Sequence, residues 1–332
     1  MTRLRAESGF SLIELLFATG LLLVVTSIVT TALMQMSGSQ KTIWNRTEMH
    51  SGIRGATELL QQEVGQAGRI TLPATGVVTL TNAITTVPAY AAACTALTNL
   101  AISSTAGMWG SAATGIALTF LDGDNEETVR VTSITGNTIN ACFWHNHIAG
   151  TPIRALGGFA TGVIPPSGIV HGSDDTHLKL FGDINGDGNM VYVEYFCDTD
   201  NHKLYRNPVA FNAGSLPPND DSMVLLGNIQ PNPPDSGGVA RACFSYQVAE
   251  ATVNSTLFTF VTDVAITLTV ETEQVDSITQ QKQQETKALL NVSPRNVFNA
   301  YAFAGLSQSD RIQSTPATVT NLVCTGAVIT CP

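Results

Sequence analysis

Asp183, Asn185 and Asp187 place oxygen-bearing side chains at alternate positions of one short segment, followed by Gly188 and, later, Glu194. Counted from Asp183, this is the spacing of a calcium loop, with ligands at alternate positions, glycine at the sharp turn and a closing glutamate. Carboxylate and amide oxygens suit a hard divalent cation. The spacing assigns single oxygens to Asp183, Asn185 and Asp187, the backbone carbonyl to Asn189, and a bidentate carboxylate to Glu194. Calcium is therefore the cofactor to expect, and its role would be to order a loop. The flanks read as strands, so a paired-helix EF-hand is not expected, and Glu194 can point away from the ion. The alternative for these residues is a polar hairpin turn without metal.

Other clusters carry less chemistry. His145 and His147 can present two imidazoles on one side of a strand, but no third zinc ligand is placed nearby. Asp122, Asp124, Glu126 and Glu127 read as a solvated hairpin tip. His171, Asp174, Asp175 and His177 gather titratable groups in a loop, without a G-x-S-x-G nucleophile or a glycine-rich phosphate loop. A non-enzymatic chain is expected. With a net charge of −10 and no basic cluster, general nucleic-acid binding is not expected either.

A different chemistry is set up near the start. Glu14 lies inside an apolar run from Phe10 to Met36. As a helix rising 1.5 Å per residue, the run spans roughly 40 Å, enough to cross a bilayer. A carboxylate there costs roughly 2.5 kcal/mol or more, so it implies a partner. A secretory signal carries its small-residue cleavage site after the apolar stretch, whereas Gly9 precedes it. Arg3 and Arg5 favour a cytoplasmic N-terminus, although Lys41 and Arg46 beyond the far end weaken the asymmetry.

This order of short basic leader, Gly9, Phe10, Glu14 and apolar helix closely resembles the N-terminus of type IV prepilins and type II secretion pseudopilins. The resemblance implies cleavage after Gly9 by a prepilin peptidase and methylation of Phe10. It also implies that the new amine pairs with Glu14 of a neighbouring subunit, offsetting the desolvation of both charges. The first-turn position suits a negative charge through the helix dipole. The segments 58–69, Tyr192–Phe196 with Leu204–Arg206, and Val264–Thr272 with Val292–Asn296 resemble parts of PilW-like minor pilins. They correspond to the end of the long helix, a strand pair and a closing hairpin.

The implied function is a minor pilin that primes type IV pilus assembly from the tip, supporting adhesion, twitching motility or DNA uptake. Its implied partners are other minor pilins, the major pilin, the prepilin peptidase and the inner-membrane assembly platform. The implied location is the inner membrane, single-pass with a periplasmic head, and then the pilus or cell surface. A type II secretion minor pseudopilin of the bulky, J-like class would share the anchor. A calcium-dependent surface adhesin on a pilin anchor is the reading from another class.

Four segments must position these groups: a leader at 1–9, a transmembrane half-helix at 10–36, an amphipathic half-helix at 37–69, and an extracytoplasmic β-rich head at 70–332. In the second half-helix Trp44, Ile53, Ala56, Leu60, Val64 and Ala67 recur on one stripe. Glu48, Arg54, Glu58, Gln61, Gln62 and Gln66 fall on other faces. Strands are expected at 115–121, 128–132, 138–144, 190–197, 203–206, 239–248, 257–272 and 286–292. Segments 71–112 and 149–176, rich in Ala, Gly, Thr and Pro, read as long surface insertions. Residues 213–238 read as loop because their prolines restrict pairing. The six cysteines, Cys94, Cys142, Cys197, Cys243, Cys324 and Cys331, form no C-x-x-C pair. Their even number in an exported chain favours disulfides, with Cys324–Cys331 and Cys197–Cys243 expected first and free buried thiols as the alternative. The predicted architecture is α+β and type IV pilin-like: a long N-terminal helix on an antiparallel β-sheet with long loop insertions.

Overall fold

Residues Leu12 to Gln66 contain no proline and form one unbroken helix, α1. The computed structural model describes residues 11–73, 76–89, 92–276 and 279–325. The leader, Gly9, Phe10 and Cys331 lie outside the described residues. Within α1 the hydroxyls of Thr26, Thr30 and Thr31 donate to carbonyls one turn back at 2.8–2.9 Å, so they need no outside partner. The helix stops short of Arg69 because Gly68 takes φ +82°. Its N–H then donates to Phe181 O at 2.8 Å, which turns the chain into a sheet.

The chain divides into two compact units, Met1–Ser51 with Glu271–Glu285, and Gly52–Val270 with Thr286–Pro332. In the first, every side chain from Leu12 to Met36 is exposed. Near the other end of this unit Asp276 accepts from Gln283 Nε2 at 2.7 Å and lies 3.5 Å from Arg46 Nη2. Lys282 closes the loop on Glu271 at 2.6 Å.

The second unit holds the remainder of α1 and the sheets. Ile53, Ala56, Leu60, Val64 and Ala67 are buried, as the stripe predicts. Trp44 is 75% exposed and does not belong to it. One antiparallel sheet orders Val224–Gly227, Lys203–Ala210, Val191–Asp198 and His177–Gly182. A second orders Val78–Thr79, Pro152–Arg154, Ala117–Phe120 and Glu127–Arg130. A third orders Thr95–Ala101, Thr138–Phe143 and Ser133–Thr135. Thr256–Glu271 pairs with Ile229–Gln230, Phe244–Val253 and Gln284–Val292. Helices α2 (Arg295–Gly305) and α3 (Ala317–Thr325) complete the chain, with a parallel pair between Ile312–Gln313 and Gly158–Phe159. The architecture is thus mixed helix and mostly antiparallel sheet behind one long apolar N-terminal helix.

Three expectations about the head are corrected. Segments 71–112 and 149–176 are not surface insertions: Val78, Leu80, Ile84, Val87, Ile102, Ile153 and Ile164 join the main core with Phe120, Phe143, Phe159, Phe181 and Tyr192. Segment 213–238 carries the strands Val224–Gly227 and Ile229–Gln230. Pro208 also lies inside a strand that was expected to end at Arg206. It is tolerated because the neighbour Val224–Gly227 pairs only as far as Tyr205, leaving that edge free of ladder bonds.

The end of α1 needs glycine for closeness as well as for turning. A Cβ on Gly162 would lie 2.2 Å from Gly68 Cα, so two backbones meet where no side chain fits. Gly162→Ala is expected to cost about 1–3 kcal/mol by overpacking. Thermal unfolding checks this, and an unchanged midpoint would contradict it.

Candidate functional site

Glu14 sits in the first turn of α1, where its N–H donates to Ser11 O at 3.0 Å. Among the described residues no cation pairs with its carboxylate. The helix around it is long and apolar enough to cross a membrane. Chemically, then, the first unit offers an acid at the head of an uncovered apolar rod.

A second acid on the same helix is handled differently. Glu63 lies on the buried stripe, between Leu60 and Ala67. Arg206 Nε and Nη2 donate to its Oε1 at 3.0 and 2.5 Å, and Tyr195 OH donates to Oε2 at 2.6 Å. Burial, with the Glu63 charge added, raises the Tyr195 hydroxyl far above its ordinary value, so it stays a donor. Burial alone would lower the Arg206 guanidinium, but the Glu63 carboxylate outweighs it. Glu63 was not among the residues expected from the sequence: Ala56, Leu60, Glu63 and Ala67 follow one helical face, but that spacing does not name its arginine.

Residues of the expected calcium loop are held by partners within the chain. Asp183 is fully buried, and its Oδ2 accepts from Thr71 Oγ1 at 2.8 Å, with Arg69 Nε 3.5 Å away. Its Oδ1 accepts from Gly188 N at 3.3 Å. Asp187 caps its own turn by accepting from Asn189 N at 2.9 Å, and Asn185 shares the exposed turn with it. Glu194 is inside the strand Val191–Asp198, directly across from Lys179 and Asn207. Its Oε2 accepts from Tyr192 OH at 2.7 Å and lies 3.8 Å from Lys179 Nζ. The two-residue period of the strand therefore turns Glu194 to the Tyr192 face. Arg69 supplies the positive charge that Asp183 needs. Among the described residues no three His, Cys, Asp or Glu side chains group at metal-binding distance. Asp183 and Glu194, the two ends of the expected loop, are thus each held by partners within the chain.

The acidic tip at 122–127 is only half solvated. Asp124 and Glu126 are exposed, while Asp122 and Glu127 turn in toward His147, whose ring is fully buried. His147 Nε2 lies 2.9 Å from Glu127 Oε1 and Nδ1 lies 3.2 Å from Asp122 Oδ2. Phe120 and Phe143 pack around the ring. Glu127 also accepts from the N–H groups of Trp144 and His145 at 2.8 and 2.9 Å. Burial alone would raise its carboxyl, but His147 and these two N–H groups hold it below the ordinary value. His145 remains exposed.

Further along, Asp174 accepts from Thr176 N and His177 N at 2.8 and 2.7 Å, a local turn. Burial opposes its charge, yet His177 and Thr176 hold its carboxyl well below the usual range. His171 gives its carbonyl to Lys179 Nζ at 2.8 Å, and Asp175 gives its own to Phe244 N at 3.1 Å.

Among the described residues two disulfides staple the head, Cys94–Cys142 and Cys197–Cys243, with Cα separations of 5.4 and 6.4 Å. The second is a pair expected from the sequence. Cys324 is also disulfide-bonded. No family model, curated protein or solved structure matches this chain.

Two outcomes follow from the buried charges. Arg206→Ala is expected to cost about 3–5 kcal/mol, since it strands Glu63 in the interior. Replacing Glu63, Arg206 and Tyr195 together by Met, Met and Phe should recover most of that loss in a denaturant titration. For Glu127 the folded carboxyl is depressed, so its contribution is present above the unfolded value and lost as pH falls through the folded one. The stability gap between wild type and Glu127→Gln should be about 1–3 kcal/mol at neutral pH. It should close below roughly pH 4, and a gap that persists in acid would contradict the assignment.

Proposed function

We propose that this chain is a membrane-anchored minor pilin of the PilW-like type, a non-enzymatic subunit that primes type IV pilus assembly and sits at the tip. One observation carries the reading: Glu14 stands in the first turn of a helix whose side chains are uncovered from Leu12 to Met36. Apolar surface of that extent is stable in lipid or against other apolar helices, not in water. A carboxylate in such surroundings requires a cation. Cleavage after Gly9 makes one at Phe10 of each subunit, and an adjoining subunit brings amine and acid together. Assembly then relieves two poorly paired charges at once, and the spacing of Glu14 from the new terminus sets axial register.

The head supports the reading in a second way. Its disulfides suit an oxidising compartment outside the cytoplasm. Glu63 and Arg206 also tie the second half of α1 to a sheet, so a helix drawn into a fibre carries its head with it. The proposed partners are other minor pilins, the major pilin, the prepilin peptidase and an inner-membrane assembly platform.

Expression of the full chain with and without a prepilin peptidase, followed by N-terminal sequencing, tests the first step. A mature chain beginning at methylated Phe10 is expected, and one still beginning at Met1 would end the proposal. Glu14→Ala should be cleaved normally yet fall at least tenfold in fibre fractions. Wild-type incorporation of that variant would contradict the pairing.

A further inference from the structure

An open groove of about 490 Å³ runs beside the second half of α1. One wall is the helix from Glu58 to Gln66, and the other is the segment from Asn291 to Arg295. Its volume is that of a small-molecule site, but its chemistry is unusual for one. The only apolar side chain among its walls, Val292, is itself buried. Gln61, Gln62, Gln66 and Asn291 line it with amides, and none makes a side-chain hydrogen bond within the described residues.

The charge of the groove also runs against that of the chain. Glu58 is its one acid, and its carboxylate already accepts from Arg54 Nε at 2.7 Å. The Arg54 hydrogen bond, with Lys287 adding to it, holds the Glu58 carboxyl below its ordinary value. Arg295 is exposed, lines the groove and pairs with no acid in the described residues. An unspent guanidinium therefore stands beside unspent amides on a protein of net charge −10.

Gly65 gives an independent indication. It lies inside a helix, where glycine is less stable than alanine. A Cβ built on it would meet nothing within 4 Å, so packing does not demand a glycine there. What its missing side chain does is keep the wall of the groove open.

We infer that this groove binds an acidic saccharide, a pyranose ring bearing a carboxylate. Amides donate and accept, as ring hydroxyls do, so four of them match a polyol face. The Arg295 guanidinium takes the carboxylate through two parallel hydrogen bonds. The absence of an exposed apolar or aromatic floor disfavours a lipid chain or an apolar peptide side chain. The inference rests on the groove alone and stands whether or not the chain enters a pilus.

The test is calorimetric titration of the full-length chain in detergent micelles with galacturonate, trigalacturonate and galactose. Galacturonate should bind, with galactose at least about tenfold weaker. Arg295→Gln should weaken galacturonate about tenfold or more, at an unchanged melting temperature because Arg295 has no partner to lose. Gly65→Tyr should abolish binding by filling the groove, again with the melting temperature kept. Equal affinity for monomer and trimer assigns a free sugar acid, and tighter trimer binding assigns a polyuronate chain; either supports the inference. No galacturonate binding by wild type, equal binding of galactose, or undiminished binding by both variants would overturn it.

Discussion

One unbroken helix must satisfy two surroundings along its length, and the rest of the molecule is arranged around that constraint. From Leu12 to Met36 α1 is apolar and uncovered on every side, and its threonine hydroxyls are spent on its own carbonyls. From Ile53 to Ala67 a single stripe is buried while the other faces stay polar. Each half contains an acid in an apolar setting. Glu63 has its arginine and tyrosine within the chain. Glu14 has no cation among the described residues, so its proposed partner belongs to another subunit. The same chemical problem receives an internal answer in one half and, in the proposed assembly, an external one in the other.

Within the head, side chains do work that longer strands would have done. Many strands are only two to four residues long, and their backbone groups still need partners. Gln313, buried, accepts from Ala117 N at 3.0 Å and donates to Ala117 O and Leu156 O at 3.0 and 2.8 Å, standing in for a missing strand. Asn296 donates to Gln66 O at 3.0 Å, covering a carbonyl left open at the end of α1. Asn232 donates to Ala242 O and Thr267 O at 3.1 and 2.8 Å. These amides and the disulfides Cys94–Cys142 and Cys197–Cys243 hold the short strands in register together.

Most of what depended on periodicity was legible in the sequence. The long helix, its Ile53 to Ala67 stripe and the strands expected at 190–197 and 203–206 all emerge from spacing. The Cys197–Cys243 bridge was readable because both residues were placed in or beside strands. What failed had a physical cause in each case. Segments 71–112 and 149–176 spread their core residues singly among Ala, Thr and Gly, so no window looks apolar. Trp44 fits the helical stripe by spacing, yet nothing covers it there. That Glu194 can turn away from Asp183 was legible from the strand flanks, and in the strand its carboxylate accepts from Tyr192 OH. Glu63 was hidden by its residue type, since an acid on an apolar stripe reveals itself only when its arginine is found.

The account depends most on α1 changing surroundings between Met36 and Ile53. Spin labels at Leu16, Leu23 and Val29 of the full chain in lipid bilayers, compared with labels at Ser51 and Glu58, measure this directly through accessibility to oxygen and to a water-soluble nickel complex. The account predicts oxygen-rich, nickel-poor environments at the first three positions and the reverse at the last two. Nickel access at Leu16, Leu23 and Val29 equal to that at Ser51 would contradict it.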